Sequence, residues 1–221
     1  MKLSTLNKEY DALQKIYGDP SLHSIYNGGY IDNPDICFVF MNPTGRNIAS
    51  NPSWPGPYYP WLGTKNIWDL FLAINLLDEN IYQEIKNTKP SSWSPEFCNK
   101  VYDNVTKHKI FITNLGKCTQ IDARPLKDNY FLDYLPLLEK EINIIKPKII
   151  ILFGNQVSSI FLNQKISVSQ TRKKYFEKKI GTKKYKCFPV FYPVGNGRFN
   201  ISKAIEDINW IKDTYLKEEI K

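Results

Sequence analysis

The chain has 221 residues, about one and a half times the ~150 residues of a usual domain, so one domain spanning 1–221 is the first expectation. Apolar residues make up 42% and aromatics 14%, which excludes a disordered chain, and 11 Gly and 14 Pro without a repeat exclude a collagen-like or low-complexity protein. Thirty basic against 22 acidic residues leave a net charge of +8, which favours a polyanionic partner, nucleic acid above all, and says nothing of the fold.

In chain order, residues 1–17 are polar and charged with interspersed apolar positions, without the apolar stretch of a signal peptide. Apolar runs such as Ile149–Phe153 are too short to cross a bilayer, so a soluble, cytoplasmic, nucleoid-associated protein is expected. Four short runs read as strands covered on both faces: Ile36–Met41, Ile110–Asn114, Ile149–Phe153 and Cys187–Tyr192. Helical stripes fill the gaps. One runs through Ile67, Leu70, Phe71, Ile74 and Leu77. Another runs through Leu135, Leu138, Ile142 and Ile145, with Pro136 tolerable in its first turn. A third follows Gly154 through Val157, Ile160 and Phe161, and the last follows Asn200 as N-cap through Ile201, Ala204, Ile205, Ile208 and Ile211. Alternating strands and helices predict an α/β fold, a three-layer sandwich whose central, mainly parallel four-stranded sheet is flanked by helices.

Ligands of such sheets bind beyond the carboxyl ends of the strands, and the unusual residues cluster there. Asn42, Pro43 and Thr44 follow the first strand, Asn114 ends the second, Gly154 and Asn155 follow the third, and residues 193–198 follow the fourth. The stretch 51–63 (NPSWPGPYYPWLG) reads as a rigid loop whose rings either pack on themselves or wall a base pocket. The run of one Arg and seven Lys over residues 172–186 reads as a solvated face or a backbone-phosphate contact.

Familiar chemistry is missing. There is no G-x-S-x-G elbow, no G-x-x-x-x-G-K-[ST] loop and no H-E-x-x-H pair, and the zinc-deaminase signature is absent as well. Cys37, Cys98, Cys118 and Cys187 form no C-x-x-C pair and read as reduced and mostly buried; His23 and His108 read as surface or structural. No metal and no cofactor is expected.

Phe40-Met41-Asn42-Pro43-Thr44, Pro60-Trp61-Leu62-Gly63, residues 111–118 (FITNLGKC) and residues 146–154 (KPKIIILFG) stand in the order and spacing of four motifs of the uracil-DNA glycosylase superfamily, which the chain resembles from about Ile36 to Asn200. The first is similar to the asparagine form of mismatch-specific enzymes, the others to the iron–sulfur family. Two departures stand out. Tyr192-Pro193-Val194 replaces the usual His-Pro-Ser, and only Cys118 falls at a ligand-like place for a cluster.

The resemblance implies a monofunctional DNA N-glycosylase, expected as a monomer on double- or single-stranded DNA. It assigns catalytic roles to Asn42, which would hold the attacking water, and to Tyr192. Trp61 would stack on the extruded base, Asn114 would read its edge, and Met41 and Thr44 would complete the base site, with backbone N–H groups over Met41–Thr44 facing the departing base anion. Arg198, Asn196, Gly195, Lys65 and Arg46 would contact DNA. Uracil is the default substrate. Alternatives are a bulky modified base of foreign DNA, which would make a defence enzyme, a non-catalytic nucleic-acid-binding module, and an enzyme of free nucleosides.

Overall fold

The computed structural model describes residues 2–217. In chain order the elements are α1 (Asn7–Tyr17), β1 (Asn27–Gly29), β2 (Ile36–Phe40), α2 (Asn66–Ala73), α3 (Glu79–Asn87), α4 (Pro95–Lys107), β3 (Ile110–Asn114), α5 (Asp128–Ile145), β4 (Ile149–Phe153), α6 (Asn155–Leu162), α7 (Val168–Thr171), β5 (Phe176–Ile180), β6 (Lys183–Val190) and α8 (Ile201–Tyr215). Short 3-10 turns punctuate them, among them Ile48–Ser50 and Gly195–Asn200. None of the described helices is long and apolar enough to cross a membrane.

The expectation of a four-stranded, mainly parallel sheet is corrected. The sheet is mixed and has six strands, in the order β1-β3-β2-β4-β6-β5. The four runs legible as strands are its interior, β3, β2, β4 and β6, mutually parallel in register Ile36↔Ile110, Ile36↔Ile149 and Ile149↔Lys186. Both edges are antiparallel additions, β1 on β3 and β5 on β6. Boundaries also shift: β2 ends one residue before Met41, and β6 starts at Lys183 and ends at Val190.

Side chains alternate across the interior strands, as the two-residue strand period requires. Phe38, Phe40, Ile112, Ile151, Phe153, Phe188 and Val190 face one core with α2, α3, α4 and α8. Cys37, Val39, Phe111, Ile150, Leu152 and Cys187 face the other, with α5 and α6. Helices therefore cover both faces. A third cluster docks α1 on α5 through Leu6, Tyr10, Tyr134 and Leu137, with Cys118 inside it. All four cysteines are free and buried, as read from the sequence.

Two helix details depart from expectation. Pro136 lies inside α5 rather than in its first turn, because the helix begins at Asp128. The ring sits on the exposed side, where the carbonyl left without its N–H donor stays hydrated. Asn200 precedes α8 but its side chain makes no capping bond; the helix grows directly out of the Gly195–Asn200 turn.

Candidate active site

Strand parity decides which side chains reach the same end of the same face. Phe40 is the register partner of Asn114, and neighbouring strands lie roughly 4.8 Å apart. Thr113 turns toward α5 and Asn114 toward the opposite core, beside Phe40. The Phe40 ring is a hub. It meets Trp61 edge-on at 5.0 Å, Tyr192 edge-on at 6.2 Å and Phe153 in a stack at 4.4 Å. Trp61, Asn114 and Tyr192 thus converge on one strand end, with Asn42 two residues beyond the hub.

The chain after β2 is zipped to the chain after β3. Leu115 N donates to Phe40 O (2.7 Å), Gly116 N to Met41 O (2.9 Å), Gln120 N to Pro43 O (3.1 Å) and Gly45 N to Gln120 O (2.8 Å). Asn42 Nδ2 donates to Pro43 O at 3.0 Å, and its Oδ1 has no partner among the described residues. The backbone N–H groups of Asn42 and Thr44 donate to no described group and remain available.

Asn114 is 2% exposed, yet its side-chain amide has no hydrogen-bond partner among the described residues, and neither polar atom is sealed off. Buried polar groups are otherwise almost always paired, so an amide left open at a strand end is a candidate ligand-binding group.

Trp61 is held in the left-handed region, at φ 64°. That conformation is costly for a bulky residue, of order 1–3 kcal/mol, and persists only where the surroundings impose it. Here Tyr102 donates its hydroxyl to Pro60 O at 2.6 Å, Thr64 Oγ1 donates to Trp61 O at 2.6 Å, and Ile48 N donates to Leu62 O at 3.2 Å. The indole N–H is buried without a partner among the described residues. The aromatic loop is only partly self-packed: Trp54 and Tyr58 bond within it, while Tyr58 also stacks on His23 at 4.2 Å.

Tyr192 is half-buried, and burial alone pushes its phenol far above the usual tyrosine range, so it stays protonated. Its hydroxyl has no partner among the described residues. After it the chain turns sharply. A Cβ on Gly197 would lie 2.1 Å from Tyr192 O, so only glycine fits.

Not every sequence-derived site residue joins this group. Met41 packs with the α5–α6 core, on the far face of the sheet from Trp61. Thr44 lies in the zipped loop, bridged to Gln120. The Lys65 ammonium is committed to the Lys86 carbonyl that ends α3. Arg46, Gly195, Asn196 and Arg198 are exposed on the two rim loops, and neither arginine is paired among the described residues. The basic run over residues 172–186 is largely spoken for. Arg172 is forked onto Asp207 and Glu206, while Lys173, Lys178 and Lys184 pair with Glu206, Glu139 and Glu177. Its hairpin tip, where Lys183 donates to Pro147 O at 3.0 Å, lies at the amino end of β4, opposite the rim.

Phe199 was not singled out in the sequence. It is 93% exposed, on the 3-10 turn that carries Arg198. The available signal was an apolar residue directly after Gly-Asn-Gly-Arg, in a loop with no hydrophobic periodicity to bury it.

The iron–sulfur cluster of the resembling family does not fit these residues. Cys118 sits in the tyrosine-lined α1–α5 cluster, apart from the other three cysteines. Cys37 and Cys187 belong to the α5–α6 core and Cys98 to the other, and no group of three potential ligands exists among the described residues.

The open α/β sheet thus carries an unpaired amide and aromatic rings together at its carboxyl rim. Comparison with known proteins gives that scaffold a family. Residues 29–209 match the model of the uracil DNA glycosylase superfamily, and the chain belongs to that superfamily. The type-4 uracil-DNA glycosylase of Saccharolobus solfataricus is 31% identical over 123 residues, which cover 52% of this chain and 56% of that protein, so the chain spans about half the length of that curated relative.

Proposed function

We propose that the protein is a monofunctional DNA glycosylase that extrudes uracil from DNA and hydrolyses its N-glycosidic bond, leaving an abasic site. The observation that carries this is the unpaired amide of Asn114 beside the Phe40–Trp61–Tyr192 ring cluster. A carboxamide offers one donor and one acceptor edge, the complement of an imide ring. Trp61 stacks on the extruded base. Extrusion costs a few kcal/mol, which phosphate contacts from Arg46 and Arg198 and insertion of Phe199 into the vacated stack offset.

In the chemical step water held by Asn42 Oδ1 attacks C1′ as the C1′–N bond breaks. The bonding pair leaves with the base, and the water's proton passes to solvent. Asn42 cannot act as a base at neutral pH, so the rate rests on stabilising the departing base anion, for which the N–H groups of Asn42 and Thr44 and the neutral Tyr192 hydroxyl are the available donors.

The test is release of uracil from an oligonucleotide in EDTA, read as alkali-labile sites, with Asn114→Ala expected to bind DNA and release nothing. DNA binding without release of any base would leave the chain a non-catalytic binding module. The tyrosine in the histidine's place and the indole platform favour a second reading, in which the chemistry is kept and the base is another deaminated or a bulkier modified one. A panel of modified oligonucleotides separates the two.

A further inference from the structure

Lys117 and Glu141 form an ion pair with both side chains at zero exposure, directly beneath the rim. The ammonium lies 3.3 Å from Glu141 Oε2 and 3.4 Å from Oε1, donates to Thr113 Oγ1, and donates to the backbone carbonyl of Asn114 at 2.8 Å. Glu141 is saturated in turn. Oε1 accepts from Thr113 Oγ1 at 2.5 Å, and Oε2 accepts from Tyr10 at 2.9 Å and from Asn27 Nδ2 at 3.0 Å. The Lys117 ammonium also lies 5.1 Å over the Tyr10 ring. Burial pulls the lysine below its ordinary range while the carboxylate opposes this.

Core packing gives no reason for such a pair, since apolar residues of the same volume usually serve stability as well or better. Its placement gives one. β3 stops at Asn114, and Lys117 takes that residue's carbonyl from the α5 side while the Asn114 amide opens on the other. The grip is anchored on three elements, α5 through Glu141, α1 through Tyr10 and β1 through Asn27. A peptide plane held on one side cannot rotate, so the residue carried on its other side is fixed in direction.

We propose that Lys117, clamped by Glu141, is a positioning residue for Asn114 that fixes the peptide from which the base-reading amide projects. The inference rests on the proposed role of Asn114.

The test uses Lys117→Met/Glu141→Gln, which removes both charges at nearly constant volume, and Thr113→Val, a milder break should the first fail to fold. For a folded variant with unchanged DNA affinity, single-turnover uracil release should fall by up to about 100-fold, the scale of a misplacement near 1 Å, with KM unchanged. The Asn114 side-chain NH2 resonances, assigned by their disappearance in Asn114→Ala, should shift or broaden. A folded variant with wild-type rate and unmoved resonances overturns the proposal. If the wild type itself releases no uracil, the glycosylase reading has failed, and the amide resonances still decide whether Lys117 positions Asn114.

Discussion

Phe199 supplies the sharpest separation between base extrusion and mere DNA binding. At 93% exposure its ring contributes little to folding, so Phe199→Ala should change stability by less than about 0.5 kcal/mol. If the ring fills the gap left by the extruded base, its worth is that of one base–aromatic stack, about 1–3 kcal/mol, and kcat/KM on duplex substrate should fall by about 5- to 150-fold. Single-stranded substrate has no gap to fill and should be cleaved at nearly the wild-type rate. Single-turnover release from matched oligonucleotides in duplex and single-stranded form measures both numbers, and thermal unfolding supplies the control. Phe199→Leu, which keeps apolar bulk, should recover part of the duplex rate. Equal losses on both substrates, or no loss on duplex, would refute insertion and leave Phe199 an ordinary exposed side chain.

Trp61→Ala should slow release on single and double strands alike, by about 10-fold or more, since the platform acts after extrusion; a duplex-only defect in rate assays would contradict that order. With the Tyr192 phenol held protonated by burial and no histidine in its place, the rate of base release should be flat from pH 6 to 9, and a step near neutrality would show that an unassigned group titrates. Burial pushes the thiols of Cys98 and Cys187 up to about 12 and that of Cys118 up to about 11, so a thiol reagent at pH 8 should label almost nothing in the native protein and four cysteines in denaturant. The Asp78 carboxyl is held at about 2 by Lys107 and His108, below the 3.8 of an ordinary aspartate. A depressed acid stabilises above its unfolded value and loses that contribution as pH falls toward 2, so the stability deficit of Asp78→Asn, under about 1 kcal/mol for so open a pair, should shrink between pH 7 and pH 3 in urea titrations.

The interior of the sheet was legible because each interior strand is covered on both faces and therefore almost uninterruptedly apolar. The edges were not. β1 is Asn27-Gly28-Gly29, too short and too small-sided to carry a pattern, and its glycines are required by close approach, with a Cβ on Gly28 falling 2.3 Å from the Tyr102 ring. β5 hides in a lysine run because an edge strand is protected by charge, and its two-residue turn at Gly181 and Thr182 looks like part of the same polar stretch. Asn42, Asn114 and Tyr192 were legible as candidates because they end or directly follow apolar runs, and Trp61 because it lies in a proline-rich aromatic loop. The face each occupies was not, because parity depends on where a strand ends. Met41 was misplaced for that reason: one step from Phe40 reverses the face.

The rim arranges neutral groups, and for the proposed site this makes direction, not charge, the source of selectivity. Asn114, Asn42, Trp61 and Tyr192 carry no charge at physiological pH, so none is tuned by a neighbour's titration; each is tuned by direction. The protein accordingly invests in direction. It holds a tryptophan in a costly backbone conformation with three hydrogen bonds around it, joins two rim loops by four backbone bonds, and keeps a saturated ion pair on the far side of the Asn114 peptide. A site of this kind discriminates by leaving its amide unpaired when the wrong ring enters, and an unpaired buried amide costs more than a lost methyl contact. On the proposed roles of Asn114 and Trp61, the substrate that fits is the ring whose edge saturates the amide while its face lies on the indole, and substitutions that keep composition but alter direction should damage recognition as much as removal of the amide itself.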